Sequence, residues 1–456
     1  MIGRDRSFSI LERALGELEK AGAKAGYARL TAGSSELTRF ANNYIHQNVA
    51  EEDASVTVAA IIGKKLGGAT TNRLDRTGIS QAARLAAAIA AQAAEDKEFP
   101  GLVSEAVGAP APEIQGACDQ KTATLSPASR ARLVARAAGY AREKGVVASG
   151  KVSSGGFELA VATSNDVRQY ATGSSFSAAC TAMVDGAAGS EDWSGGSVDA
   201  LAARLAIFGR EAVDTALQAR GPRKVDPGEW PVILAPRAVS TLVDFLVYLG
   251  FDAQAHQEGR SCLAGRMGTP IVGDKITLRD DGLDPTAMPL PFDYEGVPRK
   301  RLTLVEKGVA RDLPHNSRTA KKTGAAPTGH SFGPLSAHGA LPMHVVMEGG
   351  DADLAGMIAS TAKGLFVNRF WYTNVAEPTK AVITGMTRDG VFLIENGRVA
   401  GPVCNMRFTE SVLDALSRVE QVGSEVQGVG GEWDGGVTRV PALKLSAFRF
   451  TGSTEF

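Results

Sequence analysis

Histidines supply most of the metal-binding and acid–base chemistry that a hydrolase needs, so their spacing is the first guide to function. Six histidines are spread over the chain, at His46, His256, His315, His330, His338 and His344. No two of them form an HExxH motif, and none has an i, i+4 partner that would place two imidazoles on one helix face. The histidines alone therefore predict no metal site.

His256 and Cys262 are close enough in sequence to suggest a thiol hydrolase. A Cys–His pair needs spatial alignment and a third group that orients the histidine, and no such group is evident nearby. The four cysteines are far apart and include no CxxC pair. Buried, reduced thiols are therefore favoured over a disulfide framework or a zinc ribbon.

Adjacent acids occur in two short segments, Asp280-Asp281-Gly282 and Asp293-Tyr294-Glu295-Gly296. Acids before a glycine are typical of turns, because Asp bonds its own backbone and Gly readily adopts positive φ. A glycine-rich run at residues 428–436 lacks the lysine and the strand–helix context of a phosphate-binding loop. These segments are predicted to be turns and loops.

The composition restricts the classes of protein to which the chain can belong. Its 456 residues are too many for one ordinary core, which predicts two domains. The 49 Lys and Arg residues balance 50 Asp and Glu residues, so no basic excess favours direct nucleic-acid binding. No apolar run approaches the ~20 residues of a membrane span and the first residues resemble no secretory signal. We therefore expect a cytoplasmic protein.

The first half alternates predicted helices and strands. Apolar residues between positions 10 and 18 recur on one face of an amphipathic helix, and Ser126-Pro127 is typical of a helix start. A β-hairpin is predicted at residues 55–70, around a glycine turn. Further helices are predicted at 77–94 and 198–220. The pattern indicates an α+β domain of mixed sheet and helices.

A connector with two prolines and two glycines, residues 221–228, separates this N-terminal domain (1–221) from a C-terminal domain (229–456). A short buried strand is predicted just after the connector, and Arg237–Leu249 is apolar enough to be a buried helix. Mostly strands follow, broken by Gly, Pro and Asp. The second domain is therefore expected to be rich in sheet or barrel-like.

Several segments of the C-terminal half occur in an order that resembles a known family. They are GRSCLAGRMG (259–268), DDG (280–282), FDYEGVP (292–298), LVEKGV (304–309), PTG (327–329), LPM (341–343) and VFLIENGRV (391–399). The series resembles the TldD/PmbA family, the "modulator of DNA gyrase" proteins, whose TldD members are zinc metallopeptidases. This resemblance implies the two-domain α+β fold of that family.

The TldD members carry an HExxxH motif, in which two histidines bind zinc and the glutamate acts as the base. An ungapped alignment places Asp244 and Leu249 at the histidine positions and Phe245 at the glutamate position. Phe cannot accept a proton and Leu cannot bind zinc. The family's further cysteine ligand is missing from residues 427–436, and Cys404 lies upstream of that stretch. The resemblance therefore implies no catalytic residue and no metal ligand in this chain.

In lacking the zinc motif, the chain resembles the PmbA or TldE branch of the family. Members of that branch pair with TldD in one peptidase. This resemblance implies a non-catalytic subunit without a cofactor of its own, which completes a cleft for unfolded, leader or modified peptides. A TldD-like, HExxxH-bearing partner would hold the zinc, and without it the chain could form a homodimer. Candidates for contact with the peptide or the partner are His256, Arg266, Asp281 and Glu295.

Two other classes of function remain open on the sequence. A divergent member could be an independent amide-bond hydrolase of a biosynthetic pathway, with new chemistry around His256, Cys262 and Glu295. The chain could also be a peptide-binding protein that has no hydrolytic partner.

Overall fold

The structure is a computed structural model that describes residues 1–285, 287–430 and 436–454, so part of the glycine-rich run, residues 431–435, lies outside it. The helices are α1 Arg4–Lys20, α2 Arg76–Gln92, α3 Gln120–Ala123, α4 Pro127–Glu143, α5 Ala202–Leu205, α6 Arg210–Gln218, α7 Pro236–Gly250, α8 Ala253–Gln257, α9 Ser317–Thr323, α10 Leu354–Ala359 and α11 Val412–Ser417. Within the described part of the chain, no helix is long and apolar enough to cross a membrane.

The strands of the first half are β1 Ala25–Ala41, β2 Tyr44–Ile62, β3 Lys65–Thr71, β4 Val147–Thr163, β5 Arg168–Val184 and β6 Ala187–Gly195. Those of the second half are β7 Gly228–Leu234, β8 Leu278–Asp280, β9 Leu302–Glu306, β10 Val309–Ala310, β11 Val345–Met347, β12 Lys363–Glu377, β13 Val382–Glu395, β14 Arg398–Pro402, β15 Met406–Ser411, β16 Val419–Val422, β17 Gln427–Gly430, β18 Val437–Val440 and β19 Leu443–Ser453.

The N-terminal half is one antiparallel sheet with the order β3-β2-β1-β4-β5-β6. Alternate residues of β1 face opposite sides, as the pleat requires. Ala28 and Leu30 pack in the core that α1 and α2 cover, whereas Tyr27 packs on the other side beside Phe292 of the C-terminal half. One face of the sheet is therefore covered by helices, and the other faces the rest of the molecule.

The N-terminal half contains a duplication that the sequence did not reveal. The unit α1-β1-β2-β3-α2 is followed by α4-β4-β5-β6-α6, and each is a helix, three antiparallel strands and a further helix, with the short α5 inserted before α6 in the second unit. The two units pair through β1 and β4. Each unit therefore has its first strand at the centre of the sheet and its third strand at an edge. Two copies of one supersecondary unit therefore build the sheet.

The prediction of a single helix at residues 198–220 is wrong. Two helices, α5 and α6, occupy this segment and are separated at Gly209, whose φ of 93° lies in the left-handed region. A Cβ atom at Gly209 would lie 2.5 Å from the Cα atom of Ala137 on α4. The close approach of α4 and the positive φ both require glycine at position 209. The left-handed backbone there separates α5 from α6.

The C-terminal half contains two sheets that enclose α7. Strands β12, β7, β19, β15 and β13 pair in sequence, and β13 pairs again with β12, so this set closes into a ring. The second sheet has the order β10-β9-β8-β11-β18-β17. Helix α7 contacts β12 of the first and β18 of the second, and nearly all of its side chains are buried. The α+β class, the barrel-like second half and the buried helix are thus confirmed.

Candidate functional site

A groove runs between the N-terminal sheet and the C-terminal half of the chain. Strands β1, β2, β4 and β5 form its floor, and segments between β8 and β11 form its wall. It consists of two adjoining cavities, of about 420 Å³ and about 300 Å³, which share Phe157, Ser175, Leu290 and Tyr294 as lining residues. Concave sites of this size are typical of ligand pockets.

Strands β1 and β4 approach each other closely in the floor of the groove, at Gly33. A Cβ atom at Gly33 would lie 2.8 Å from the carbonyl oxygen of Gly156, so glycine permits the close approach of these strands. Small residues also line the floor around them, including Ser34 and Ser35. The sheet therefore presents serine and threonine hydroxyls to the groove, while its backbone groups are paired between neighbouring strands.

Hydrogen bonds from the sheet fix the wall in place. The hydroxyl of Tyr27 donates to the carbonyl oxygen of Tyr294 at 2.6 Å, and Nε2 of Gln169 donates to the carbonyl oxygen of Gly296 at 3.0 Å. The guanidinium of Arg29 lies over the ring of Tyr294, 4.3 Å from its centroid. The two halves of the chain are thus joined directly beside the groove.

Acidic residues line the larger cavity, namely Glu51, Asp53 and Glu158. Glu158 is almost fully buried and accepts hydrogen bonds from the backbone N–H groups of Ile2 and Gly3 and from the hydroxyl of Tyr170. Its carboxylate therefore anchors the chain just before α1. The other two acids are exposed, and they make this end of the groove negative.

The smaller cavity is built around a buried pair, Asp280 and His330. Nε2 of His330 lies 3.2 Å from Oδ1 of Asp280, and Oδ2 of Asp280 accepts the backbone N–H groups of Met343 at 2.6 Å and His344 at 3.0 Å. Burial opposes ionisation of Asp280, but the hydrogen bond and charge of His330 outweigh it and lower the pKa of Asp280 below its ordinary value. The pair fixes the backbone that lines the cavity.

His344 and Arg299 line the same cavity. Nε2 of His344 lies 2.9 Å from the carbonyl oxygen of Met288. Burial, together with the nearby charge of Arg299, lowers the pKa of His344 to about 4, so the ring is neutral near pH 7. Among the described residues, Nε and Nη1 of Arg299 and Nδ1 of His344 are buried and have no hydrogen-bond partner.

This cluster could not be predicted from the spacing of its residues, because its members are far apart along the chain. Asp280 is 50 residues before His330 and 63 residues before Met343. A signal was present, since His330 and His344 directly follow PTG and LPM, two of the segments that resemble the TldD/PmbA family. The segment Asp280-Asp281-Gly282, which was predicted to be a turn, supplies Asp280 as the buried partner of His330.

The predicted zinc-motif positions lie on α7 and do not form a zinc site. The carboxylate of Asp244 accepts a hydrogen bond from the hydroxyl of Thr438, while Phe245 and Leu249 are buried in the core. The last two side chains have no donor atom for a metal. In the ranges that the structure describes, no group of three or more His, Cys, Asp or Glu side chains could hold a metal ion. These residues therefore do not fit zinc.

His256 and Cys262 are not joined by a hydrogen bond within the described chain. Cys262 is buried, and burial raises the pKa of its thiol to about 11, so the nucleophilic thiolate is scarce near pH 7. His256 lies on α8. Burial lowers the pKa of His315, and the charge of His256 lowers it further. The arrangement does not favour thiol chemistry.

Arg266, Asp281 and Glu295 lie outside the groove and apart from one another. Arg266 lines a separate depression of about 550 Å³. Asp281 forms an ion pair with Arg301 at 2.8 Å. Glu295 is 8% exposed and accepts hydrogen bonds from the hydroxyl of Ser317 at 2.8 Å and its backbone N–H at 3.0 Å. The carboxylate of Glu295 therefore accepts hydrogen bonds from the first residue of α9.

Comparison with known families identifies the class of protein. The model described as "PmbA/TldA metallopeptidase C-terminal domain" matches residues 227–452, and "PmbA/TldA metallopeptidase domain 1" matches residues 27–90. The chain belongs to the TldD/PmbA family of metallopeptidase-like proteins. The predicted resemblance is confirmed.

Individual relatives are distant. The chain is 24% identical over 229 residues to a "Metalloprotease TldD homolog" of Buchnera aphidicola, which covers 49% of this chain and 47% of that protein. It is 22% identical to a "Metalloprotease PmbA homolog" of Haemophilus influenzae over 82% of each chain. The chain spans about half the length of the first curated relatives that it matches.

A solved structure supports the fold over nearly the whole chain. The crystal structure of TldE from Thermococcus kodakarensis superposes with a TM-score of 0.85 and covers 97% of this chain and 100% of that one. The identity between the two is 20%, so this similarity establishes the shared fold and no more.

Proposed function

We propose that the chain is a non-catalytic, TldE-like subunit of a hetero-oligomeric zinc metallopeptidase of the cytoplasm. A TldD-like partner would supply the HExxxH motif and the zinc ion. This chain would complete the cleft in which unfolded, leader or modified peptides are cut.

The chemistry of α7 carries this proposal. Zinc-dependent hydrolysis needs ligands for the metal, a bound water of lowered pKa and a base within hydrogen-bond reach. Phe245 and Leu249 are hydrocarbon side chains packed in the core, and Asp244 is engaged by Thr438. A helix with this composition stabilises the fold and leaves the metal chemistry to another chain.

The groove supports a role in holding peptide. A floor lined with serine and threonine hydroxyls can exchange hydrogen bonds with an extended main chain, whatever its side chains are. The buried Cys262 thiol argues for this role over an independent thiol hydrolase, because its raised pKa disfavours the reactive form.

The test is co-expression with a TldD-like chain from the same genome, followed by purification, metal analysis and hydrolysis of unfolded casein. We expect a stable mixed complex, with zinc in proportion to the partner and activity only in the mixture. The matched control is the same complex with the glutamate of the partner's HExxxH replaced by glutamine.

Two results would contradict the proposal. One is tight, stoichiometric zinc in this chain alone after washing with a chelator. The other is casein hydrolysis by this chain alone that is abolished by His256→Ala or Cys262→Ala, which would indicate an independent enzyme.

A further inference from the structure

The smaller cavity of the groove is hydrophobic where it is open. Its polar lining residues apart from Ser175 are buried, and Arg299 and His344 are each only 7% exposed. The partly exposed lining residues are otherwise apolar or aromatic, namely Phe157, Met288, Leu290, Tyr294, Phe332 and Met343. A ligand that enters this cavity therefore meets a mainly hydrophobic surface.

The size of this cavity suits one apolar side chain. Its volume is about 300 Å³, and a cavity of about 150 Å³ is enough for a benzene-sized group. Apolar surface that is open to water in a concave site is stabilised when an apolar group covers it. A leucine or phenylalanine side chain of a bound peptide would provide such a group.

The register of the sheet relates this cavity to two carboxylates in the floor of the groove. Glu51 and Asp53 lie on the same face of β2, because alternate residues of a strand face the same side. Asp53 is opposite Gly33 of β1, which is in turn opposite Phe157 of β4. Since neighbouring strands are about 4.8 Å apart, the backbone of Asp53 lies about 10 Å from that of Phe157.

These two carboxylates are not neutralised by the described part of the chain. Both residues are exposed, and neither forms an ion pair with a described cation. Oδ1 of Asp53 accepts the backbone N–H of Ala54 at 2.8 Å, which is a neutral donor. No Lys or Arg is among the described residues that line the larger cavity. The charge at this end of the groove is therefore complementary to a cationic group.

We propose that the groove prefers extended peptide segments with an apolar side chain in the smaller cavity and a Lys or Arg side chain, three residues away, beside Glu51 and Asp53. An extended chain advances about 3.4 Å per residue, so three residues span the distance of about 10 Å between the two ends. The inference rests on the proposed function, since it assumes that peptide enters the groove, and it adds a sequence preference to main-chain binding.

The test measures binding of acetyl-Lys-Ser-Ser-Leu-Ser-Ser-Lys-amide to the purified chain by isothermal titration calorimetry. Lys is three residues from Leu on both sides, so the peptide matches the groove in either chain direction. One altered peptide has Ser in place of Leu, and another has Glu in place of both Lys residues.

Replacing Leu should weaken binding roughly 10- to 30-fold, because the apolar side chain is no longer buried. Replacing Lys by Glu should weaken binding roughly 5- to 10-fold at low salt, because repulsion replaces attraction between exposed charges. The second difference should shrink in about 0.5 M salt, whereas the first should persist.

Substitutions in β2 assign the charge effect to the floor of the groove. Glu51→Gln should reduce the preference for Lys over Glu roughly 2- to 3-fold, and Asp53→Asn should act in the same direction. Glu52→Gln is the matched control, because Glu52 lies between them and faces the other side of the sheet. It removes the same charge and should leave the preference unchanged.

Substitutions in the loop before β11 assign the apolar effect to the smaller cavity. Phe332→Ala removes part of the wall and should reduce the preference for Leu over Ser roughly 3-fold or more. Leu335→Ala is the control, since Leu335 is exposed and does not line the cavity. If Phe332→Ala fails to fold, the three peptides compared on the unaltered chain still decide.

Equal affinity for the three peptides, or no binding of the Lys- and Leu-containing one, would overturn the proposal. A loss on replacing only Leu or only Lys would also overturn it, because both ends are required. Equal effects of Glu51→Gln and Glu52→Gln would show a general charge effect, with the same consequence. Because this chain is tested alone, selective binding without an active mixed complex would reject the proposed function and keep the preference, whereas an active mixed complex without selectivity would do the opposite.

Discussion

Glu191 should make the stability of the fold depend on pH. It lies on β6, is 3% exposed and accepts a hydrogen bond from the backbone N–H of Gly209, just before α6. Burial raises the pKa of its carboxyl from 4.5 to about 7, and the charge of Glu211 acts in the same direction. Arg237 on α7, which donates to the carbonyl oxygen of Ser190, opposes the shift only in part.

The sign and size of the effect follow from this pKa. As the pH rises from 4.5 towards 7, the unfolded carboxyl loses its proton while the folded one keeps it. The free energy of unfolding therefore falls across this range and levels off above it. At about 1.4 kcal/mol per pH unit, the loss attributable to Glu191 amounts to roughly 3 kcal/mol.

Glu191→Gln isolates this contribution. Glutamine is neutral at every pH, and its side-chain oxygen can still accept the hydrogen bond from Gly209. The assay compares the urea midpoints of the two proteins between about pH 5 and 8, with the exposed Glu12→Gln as the control for a surface charge. A buried acid that does not interact with Glu191, such as Asp293, titrates in both proteins and cancels in the difference, whereas Glu211 interacts with Glu191 and its response is part of the measured difference.

The stability of Glu191→Gln relative to the unaltered chain should therefore increase steadily with pH. Parallel pH profiles for the two proteins would refute the reasoning, because they would show that the carboxyl of Glu191 ionises alike in the folded and unfolded states. A difference that grows towards low pH would reverse the sign and have the same consequence.

Two further substitutions test the interior of the C-terminal half by urea unfolding. Phe245→Ala should lower the free energy of unfolding by about 3–5 kcal/mol, while Tyr248→Ala, on the exposed side of α7, should cost less. An inactive mixed complex formed by a stable Phe245→Ala chain would contradict the packing role. Asp280→Ala removes the acceptor of the His330 ring and of two backbone N–H groups, and should cost about 3 kcal/mol or more. An unchanged urea midpoint would show that these donors find other acceptors.

Elements with strong local signals could be predicted from the sequence. The hairpin predicted at residues 55–70 matches β2 and β3, because the β-rich runs and the glycine turn act within a few residues. Ser126 accepts the backbone N–H of Ser129 and Pro127 begins α4, as their types indicate. The buried α7 was equally visible, since its apolar residues surround the helix.

Features that depend on distant parts of the chain could not be predicted. The break at Gly209 depends on the approach of α4, about seventy residues earlier, and nothing in the local periodicity marks it. The Asp280–His330 pair likewise forms only when β8 and the loop before β11 come together. The duplicated unit left no repeat in the sequence because the same core can be packed by different apolar residues.

The contrast between Phe245 on α7 and Arg299 separates a buried side chain that stabilises the fold from one that opposes it. Phe245 stabilises the folded state whether or not a ligand is bound, since it is packed against other side chains in the core. The guanidinium of Arg299 opposes folding, because its Nε and Nη1 are buried and have no hydrogen-bond partner among the described residues. A truncation of Phe245 should therefore reduce the free energy of unfolding, whereas replacement of Arg299 by an uncharged residue should leave it unchanged or raise it.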